Sequence, residues 1–566
     1  MSMGKPEVPN ILRCASNTWD YADSFADGYV KPADVQAAPL GTKPLELPHV
    51  NNPDVEYCVP EEVDVCMELM LLRSARKHWM WCNKTSNAPD TSAARSATEA
   101  NLGRNGIYQV SGCEPPGELA SFMRAYNKVV RAVNKGPVKS FCHKRLALLD
   151  VHFKRHVLMF HDLERDEGKT TECDMYSCHT VDTHIHAAAA VSGRFFLKFV
   201  REKLRNHGDD EVNPGQTLLQ LCALHGITAD NVDASHFDFQ ADMSLFQRFD
   251  RFNDKYNPAG VAALRTVFLK TNNHQGGLYF ADMLKAEMDG ADDCVHTEMR
   301  LSIYGKSESE WADLAQFIDT HDLLAEKYII KNKWLIQIPR IYRVFKSTGA
   351  VYSFQDVIKN IFQPIFDATL YPDRNPQLTK FLNNVGAFDS VDDESMLDST
   401  EHDLVNPGDF HFKDSPSYQY QLFFLAVNLN VLNQLRKARN LPTISFRPHC
   451  GESGDPMHLA TSYLLSHGVN HGVNLARSVG LQYLYYLDQI GLAVSPTSNN
   501  FLFLKLPDNP FPKFFRRGMF VSLSTDDPMF FHLTSEPLME EYSIARNEFK
   551  LSLLDLSEIA RNSVVR

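Results

Sequence analysis

The chain has 566 residues, of which 44% are hydrophobic and 22% charged, proportions typical of a globular protein rather than a disordered or fibrous one. Its net charge of −13 argues against sequence-independent nucleic-acid binding, which requires a basic face. The 11 cysteines include no CxxC pair, and no apolar run approaches the roughly 20 residues of a membrane span. Together these features predict a cytoplasmic protein without a disulfide framework, a membrane segment or a nucleic-acid partner.

Three regions differ in their residue patterns. Residues 1–105 are predicted to be a variable, partly disordered region with one helix, because sequence rich in Pro, Ala and polar residues surrounds a single helical pattern. In residues 106–178, apolar residues recur at helical spacing, which predicts a helical segment that packs on the following domain. Residues 179–566 are predicted to form the catalytic domain.

After residue 179, short apolar or β-branched segments alternate with longer helical patterns. The predicted strands are residues 181–186, 300–305, 334–339, 385–391, 444–451, 471–475, 492–498 and 520–528. Eight strands that alternate with helices predict an α/β fold, a (β/α)8 TIM barrel with an N-terminal helical extension. The long stretch at about residues 190–298 predicts a helical insertion after the first strand. The active site of such a barrel lies at the carboxyl ends of its strands.

Two histidines close the first predicted strand, in the sequence VDTHIH. Side chains two residues apart in a strand point to the same face, so the imidazoles of His184 and His186 converge. Imidazole is a common ligand for zinc, copper, iron and nickel. Taken alone, however, His-x-His is also compatible with two packed polar side chains on a strand.

Further candidate ligands occur at the ends of later predicted strands. His449 ends the fifth strand, His471 begins the sixth, and Asp526 and Asp527 end the eighth. Each has a structural alternative: a core histidine, a loop histidine and a helix N-cap, respectively. Combined with the first-strand pair, His449 and Asp526 complete a set of three histidines and one aspartate. Zinc accepts such a set with a water molecule in the remaining position.

The motifs around these positions resemble the adenosine/AMP deaminase family of metal-dependent hydrolases, and most closely its AMP deaminases. They follow family order from about residue 107 to the end: VDTHIHA, FNDKYNPAG, LKTNN, RLSIYGKSESEW, GAFDSVDDES, RPHCGE, HGVNL, SPTSNN, SLSTDDPM and EPLMEEYSIA. Ala387 interrupts the family's Gly-Phe pair, Ser453 stands where alanine is usual, and Asn470 replaces a serine before His-Gly. None of these departures removes a candidate ligand.

The resemblance implies a role for each matching residue. One zinc ion per subunit would be held by His184, His186, His449 and Asp526. Glu452 would donate a proton to N1 of the purine. His471 would act as general base or electrostatic partner toward the metal-bound water, and Asp527 would hold the nucleophile or the N7 side of the substrate. The implied substrate-binding residues are His186, Glu452 and Asp527, together with Lys255, Tyr256, Asn257, Pro258, Ala259, Gly260, Pro528, Met529 and Phe530.

The implied activity is the zinc-dependent hydrolytic deamination of AMP at C6 to IMP and ammonia, in a homo-oligomer (a dimer or tetramer). A 5′-phosphate needs a cation or free backbone amides, which points to Lys255 and its Pro/Gly turn. Lys270 and Arg300 stay open as further phosphate ligands, since Arg300 is equally compatible with a buried salt bridge. Two alternatives remain: an adenosine deaminase, or a catalytically silent relative that binds nucleotides.

Overall fold

Helices and parallel strands alternate along the chain in the computed structural model, which describes residues 60–80, 91–170, 175–233, 241–248, 251–252, 262–290, 293–391 and 393–566. The first helices are α1 (Pro60–Met80), α2 (Thr91–Ser96), α3 (Leu119–Asn134) and α4 (Gly136–Thr170). The segment between the first two parallel strands contains α5 (Gly193–Asn206), α6 (Leu218–Leu224), α7 (Ala262–Leu269) and α8 (Leu278–Gly290).

The remaining helices of the described residues follow the later strands. They are α9 (Glu310–Thr320), α10 (Glu326–Ile329), α11 (Tyr342–Thr348), α12 (Phe354–Leu370), α13 (Pro376–Leu382), α14 (Tyr418–Ala438), α15 (His458–Leu465), α16 (Val479–Leu487), α17 (Pro496–Leu502), α18 (Phe511–Arg516), α19 (Pro528–Phe531), α20 (Pro537–Asn547) and α21 (Leu553–Val565).

The strands form two parallel sheets and two short antiparallel pairs. The antiparallel pairs are β1 (Ala100–Leu102) with β2 (Tyr108–Val110), and β4 (Glu211–Asn213) with β5 (Gln216–Thr217). One parallel sheet has, in spatial order, β3 (Thr180–His186), β6 (Val295–Ser302), β7 (Trp334–Pro339), β8 (Val385–Val391) and β9 (Ser445–Phe446). The other has β10 (His449–Cys450), β11 (Gly468–His471), β12 (Gly491–Val494) and β13 (Val521–Leu523).

The two parallel sheets approach each other at both ends. At one end, Ile185 of β3 forms a parallel bridge with Asp526, just beyond β13. At the other end, β9 and β10 are two parts of one extended segment, separated by Arg447 and Pro448. The predicted fold is therefore confirmed as an α/β arrangement of parallel strands and intervening helices.

The predicted strands at 334–339 and 385–391 match β7 and β8 at both ends. In β7, five of six residues are apolar because both faces of a helix-covered parallel strand are buried. The predicted strand at 300–305 is wrong at both ends, since β6 runs from Val295 to Ser302. The predicted eighth strand is likewise shortened to β13, which ends at Leu523.

Three other predicted strands need correction for reasons of backbone chemistry. Pro448 has no N–H group and splits the predicted strand 444–451 into β9 and β10. β11 ends at His471 rather than beginning there, because the positive φ values of His471 (67°) and Gly472 (71°) turn the backbone out of the extended conformation at that point. Pro496 occupies the first turn of α17, so the strand predicted at 492–498 ends with β12 at Val494.

The helices before β3 pack on the later part of the chain. Helix α1 lies against α15 and α4, and α4 lies against α16. Trp79 of α1 makes edge contacts with Phe122 and Phe423 inside the hydrophobic core. Among the described residues, no helix combines the length and apolar character needed to cross a membrane.

Candidate metal centre and active site

The first and last parallel strands meet at the candidate site through their backbones. The N–H of Asp526 donates to the carbonyl of His184 (2.8 Å), and the N–H of His186 donates to the carbonyl of Asp526 (2.9 Å). Asp526 has a φ of 66°, a conformation that is uncommon for residues other than glycine. These two hydrogen bonds hold Asp526 in that conformation, and its side chain lies beside both histidines.

Three ligand atoms converge within the distances expected around one ion. Nε2 of His184 lies 3.3 Å from Nε2 of His186, and each lies 3.2 Å from Oδ1 of Asp526. Tetrahedral ligands at bond lengths of about 2.0–2.1 Å are separated by about 3.3 Å. All three side chains are buried. The donor set and its spacing therefore fit a divalent metal ion.

His449 completes the set from the neighbouring sheet. Its ring centroid lies 4.5 Å from that of His184 and 5.3 Å from that of His186. One ligand atom from each of His184, His449, His471 and Asp526 lies within 4.8 Å of the others. His186, Asp526 and Asp527 form a second group, in which the three ligand atoms also lie within 4.8 Å of one another. The structure therefore brings together the four predicted metal ligands.

The outer atoms of three candidate ligands are held by other side chains. Nδ1 of His449 lies 2.9 Å from the Asp389 carboxylate, and Nδ1 of His186 lies 2.6 Å from Oε1 of Gln337. The hydroxyl of Ser498 donates to Oδ2 of Asp526 (2.7 Å). Such contacts fix the orientation of metal-binding side chains and, for a histidine, its tautomer.

Glu452 and His471 face each other next to this cluster. Oε1 of Glu452 lies 3.4 Å from Nε2 of His471, which is 3.9 Å from Oδ2 of Asp526. Both atoms of the facing pair are buried and make no hydrogen bond with any described residue. On its other side, Nδ1 of His471 lies 3.4 Å from Nδ2 of Asn499. The two facing atoms are therefore buried beside the candidate metal ligands without a hydrogen-bond partner among the described residues.

The electrostatic surroundings shift the pKa values of both groups in the direction that favours the uncharged form. Burial, with added repulsion from the Asp526 and Glu394 carboxylates, raises the pKa of Glu452 well above its ordinary value. Burial lowers the pKa of His471 to about 3, although Asp526 acts in the opposite direction. A protonated carboxyl group beside a neutral imidazole can donate one proton and accept another.

A short loop contact orients Glu452. The N–H of Gly451 donates to Oε2 of Glu394 (2.8 Å), and Gly451 has a φ of 72° that glycine adopts without strain. A Cβ atom at that position would lie 2.8 Å from the side chain of Leu459. Glycine at 451 thus allows the sharp turn that carries Glu452 from the end of β10 into the site.

The predicted substrate-binding residues after β13 are also buried. Asp527 and the three residues that follow it, Pro528, Met529 and Phe530, lie at the start of α19. The side chain of Asp527 makes no N-cap hydrogen bond to this helix, which disfavours the capping alternative. The Phe530 ring packs edge-on against Phe252 at 5.4 Å.

The phosphate-binding predictions have mixed outcomes. Lys255, Tyr256, Asn257, Pro258, Ala259 and Gly260 lie outside the described residues. Arg300 is buried and donates from Nε to Asp389 (2.6 Å), which is the salt-bridge alternative raised by the sequence. Lys270 is exposed just after α7, and its role stays a prediction.

Sequence reasoning did not assign roles to Asp389, Gln337, Ser498 or Asn499. Gln337 is the sole polar residue in the strand sequence WLIQIP, and Asp389 stands near the end of VGAFDSV. A polar side chain inside an apolar parallel strand was the signal available for both. Ser498 and Asn499 lie in α17, where the sequence SPTSNN was predicted to be part of a strand.

Comparison with known proteins agrees with this arrangement. The family model described as AMP deaminase matches residues 107–566. The chain is 42% identical over 456 residues to the AMP deaminase of Saccharomyces cerevisiae, covering 79% of this chain and 56% of the yeast protein. It is 43% identical over 459 residues to the AMP deaminase of Arabidopsis thaliana, covering 80% of this chain and 54% of that protein.

A human relative gives a similar result. AMP deaminase 1 of Homo sapiens is 41% identical over 466 residues, covering 80% of this chain and 61% of the human protein. The chain thus spans little more than half the length of these relatives. With its cluster of buried histidines and aspartates at the strand ends, the chain belongs to the AMP deaminase family.

Proposed function

We propose that this protein is a zinc-dependent AMP deaminase, which hydrolyses the C6 amino group of AMP to give IMP and ammonia. One observation carries the proposal. In a member of the AMP deaminase family, three ligand atoms of His184, His186 and Asp526 lie 3.2–3.3 Å apart, and the Glu452–His471 pair lies beside them. Metal-binding and proton-transfer groups are therefore available at one buried position.

We propose that the two parallel sheets form one closed (β/α)8 barrel. The bridge between Ile185 and Asp526 supports closure on one side, and the continuity of β9 and β10 around Pro448 supports it on the other. Counting β9 and β10 as one, the described parallel strands then number eight. The candidate ligands lie at or just beyond the carboxyl ends of β3, β10 and β13, where such barrels carry their active sites.

Zinc is the metal that the donor set favours, because three imidazoles and one carboxylate are common zinc ligands. When bound, the ion supplies Lewis-acid chemistry and an activated water nucleophile near neutral pH. His184, His186, His449 and Asp526 would hold it. The buried position of these side chains excludes bulk water and strengthens electrostatic interactions inside the site.

Glu452 and His471 would move the protons of the reaction. Deamination requires a proton at N1 of the purine as a nucleophile attacks C6, and the protonated carboxyl of Glu452 can supply it. His471 would be the general base, and its Nε2 faces Glu452. General acid or base catalysis of this kind contributes about 10²–10⁴-fold in rate.

Lys255 is proposed to select nucleotide over nucleoside by pairing with the 5′-phosphate. The expected result of Lys255→Ala is a large increase of KM for AMP with little change for adenosine, since adenosine has no phosphate. An equal increase for both substrates would remove Lys255 from the phosphate site. Steady-state ammonia release with each substrate makes the measurement.

The proposed function is tested by ammonia release from AMP, adenosine and adenine in parallel, with metal analysis of the same sample. Turnover restricted to AMP, with one zinc per chain, is the expected result. Equal turnover of adenosine would favour a nucleoside deaminase. A sample that binds no metal and releases no ammonia from any of the three would indicate a silent nucleotide-binding relative.

A cytoplasmic location is proposed from the cysteines. The buried Cys113, Cys142, Cys222 and Cys450 form no disulfide, as expected for a protein kept in a reducing compartment. The predicted dimer or tetramer stays a prediction, and sedimentation of the purified protein tests it.

A further inference from the structure

Asp389 is a buried carboxylate in β8 that the reaction described above does not use. Its Oδ2 accepts hydrogen bonds from Nε of Arg300 (2.6 Å) and Nδ2 of Asn470 (3.2 Å). Its Oδ1 accepts one from the backbone N–H of His449 (2.8 Å), and the His449 ring contacts the same carboxylate at 2.9 Å through Nδ1. The side chain is fully buried, so its oxygens have no access to bulk solvent.

These contacts determine which nitrogen of His449 can bind a cation. An ionised carboxylate only accepts hydrogen bonds, so the ring nitrogen beside Asp389 must carry the proton. Nδ1 of His449 is therefore the donor, and Nε2 is left with a free lone pair. The His449 ring lies against that of His184, with centroids 4.5 Å apart and an interplanar angle of 87°, and one ligand atom of each lies within 4.8 Å of the other.

We propose that Asp389 is a positioning residue that fixes the tautomer and the orientation of His449 for metal binding, and that Arg300 and Asn470 hold its carboxylate in place. The proposal rests on the proposed function, because it assumes that the cluster holds a metal ion. It also accounts for a buried arginine in β6, since an unpaired carboxylate at this depth would be costly to bury.

His186 is the other candidate ligand whose ring nitrogen facing away from the cluster contacts a side chain, and it provides a contrast to His449. Nδ1 of His186 lies 2.6 Å from Oε1 of Gln337, whose Nε2 donates to the hydroxyl of Ser302 (2.7 Å). This partner is a neutral amide, whereas the partner of His449 is a carboxylate paired with arginine. Hydrogen bonds to charged groups are stronger than those between neutral groups. The role proposed here therefore predicts that substitution of Asp389 raises the zinc Kd more than substitution of Gln337 does.

The test is zinc affinity of the full-length protein, measured by chelator competition after the metal has been stripped. Asp389→Asn keeps the size of the side chain but removes its charge, and we expect the zinc Kd to rise about 10–100-fold. The matched control is Ser390→Ala, the next residue in β8, whose hydroxyl instead donates to the carbonyl of Ile338 (3.3 Å). Its expected zinc Kd equals that of the wild type.

A spectroscopic measurement separates positioning from general loss of packing. The visible spectrum of the cobalt-loaded protein reports ligand geometry, and it should change in Asp389→Asn and stay constant in Ser390→Ala. Should Asp389→Asn fail to fold, Asn470→Ala removes the longest contact to the same carboxylate. The expected result is then a rise of the zinc Kd at the low end of that range, about 10-fold.

The outcomes separate the two proposals. Wild-type protein that binds no zinc would overturn the proposed metal centre itself. Wild-type protein that binds zinc, with an unchanged Kd in Asp389→Asn (or in Asn470→Ala where the first variant does not fold), would overturn only the role of Asp389. A rise of the Kd in Asp389→Asn that Ser390→Ala shares would also contradict it, because the effect would then follow from packing in β8.

Discussion

The candidate metal ligands and the candidate proton-transfer groups lie in one cluster but are supported differently. His449, His186 and Asp526 each have an outer atom held by another side chain at 2.6–2.9 Å. By contrast, Oε1 of Glu452 and Nε2 of His471 have no hydrogen-bond partner among the described residues. Ligands need a fixed geometry, whereas reacting atoms need free hydrogen-bonding capacity for the substrate. The metal ligands (the metal half) and the Glu452–His471 pair (the proton-transfer half) should therefore be separable, so that a substitution in one half leaves the function of the other intact.

The largest effect is expected from removing a metal ligand. His184→Ala deletes one of three atoms spaced 3.2–3.3 Å apart, so we expect loss of bound zinc and a fall in AMP turnover of more than about 10⁴-fold. Metal analysis together with ammonia release measures both. Retention of one zinc per chain would exclude His184 as a ligand.

The next largest effect concerns His471, which lies within ligand distance of the metal half but is assigned to the proton-transfer half. We expect His471→Asn to lower turnover by about 10²–10⁴-fold while zinc stays bound, because Nε2 of His471 is 3.9 Å from the nearer Asp526 oxygen. Metal content and turnover are measured on the same preparation. Loss of zinc would place His471 among the ligands instead.

A smaller effect is expected where the outer partner is neutral. Gln337→Ala removes the contact to Nδ1 of His186, and we expect the zinc Kd to rise about 10-fold, at the low end for such partners. Ser302→Ala serves as the control, since it removes only the hydrogen bond that holds the Gln337 amide. The zinc Kd is measured by chelator competition. A larger rise of the Kd in Gln337→Ala than in Asp389→Asn would contradict the contrast between charged and neutral partners.

The smallest effect on zinc binding and turnover is expected at His458, which contributes to stability instead. Burial opposes protonation of His458, but Asp398 (3.3 Å) and Glu394 (3.6 Å) raise its pKa to about 9. Because this pKa lies above the unfolded value of about 6.5, the charged His458 stabilises the fold fully below pH 6.5, and the contribution disappears as the pH rises through 9. From these two values the contribution is at most about 3 kcal/mol.

Denaturant unfolding of the wild type and His458→Gln between pH 6 and 10 tests this expectation. The difference in the free energy of unfolding should be largest at pH 6 and decline toward pH 10. A difference that does not vary with pH would show that His458 stabilises the fold by packing against Tyr418 rather than by its charge.

The site was more predictable from the sequence than the strand boundaries were. His184 and His186 follow from the two-residue period of a strand, and His449 and Asp526 stand where later strands were expected to end. The position of β11 was predicted wrongly because a histidine with a φ of 67° leaves no trace in an apolar pattern. Such conformations are imposed by tertiary contacts rather than by the residue type.

The supporting contacts were less accessible to sequence reasoning. Asp389 and His449 are 60 residues apart and meet only because β8 and β9 are neighbours in the sheet. Arg300 was open between a phosphate ligand and a salt bridge, since residue type does not distinguish the two. Its pairing with Asp389 depends on the order of β6, β7 and β8, which the pattern of strands and helices does not specify in atomic detail.

The division between metal holding and proton transfer is tested most directly at Glu452. Metal-stripped Glu452→Gln is titrated with zinc, and AMP turnover is then measured on the same sample. We predict a zinc Kd within about threefold of the wild type and turnover lower by about 10²–10⁴-fold. Wild-type turnover, or a loss of zinc affinity that parallels the loss of turnover, would contradict the account.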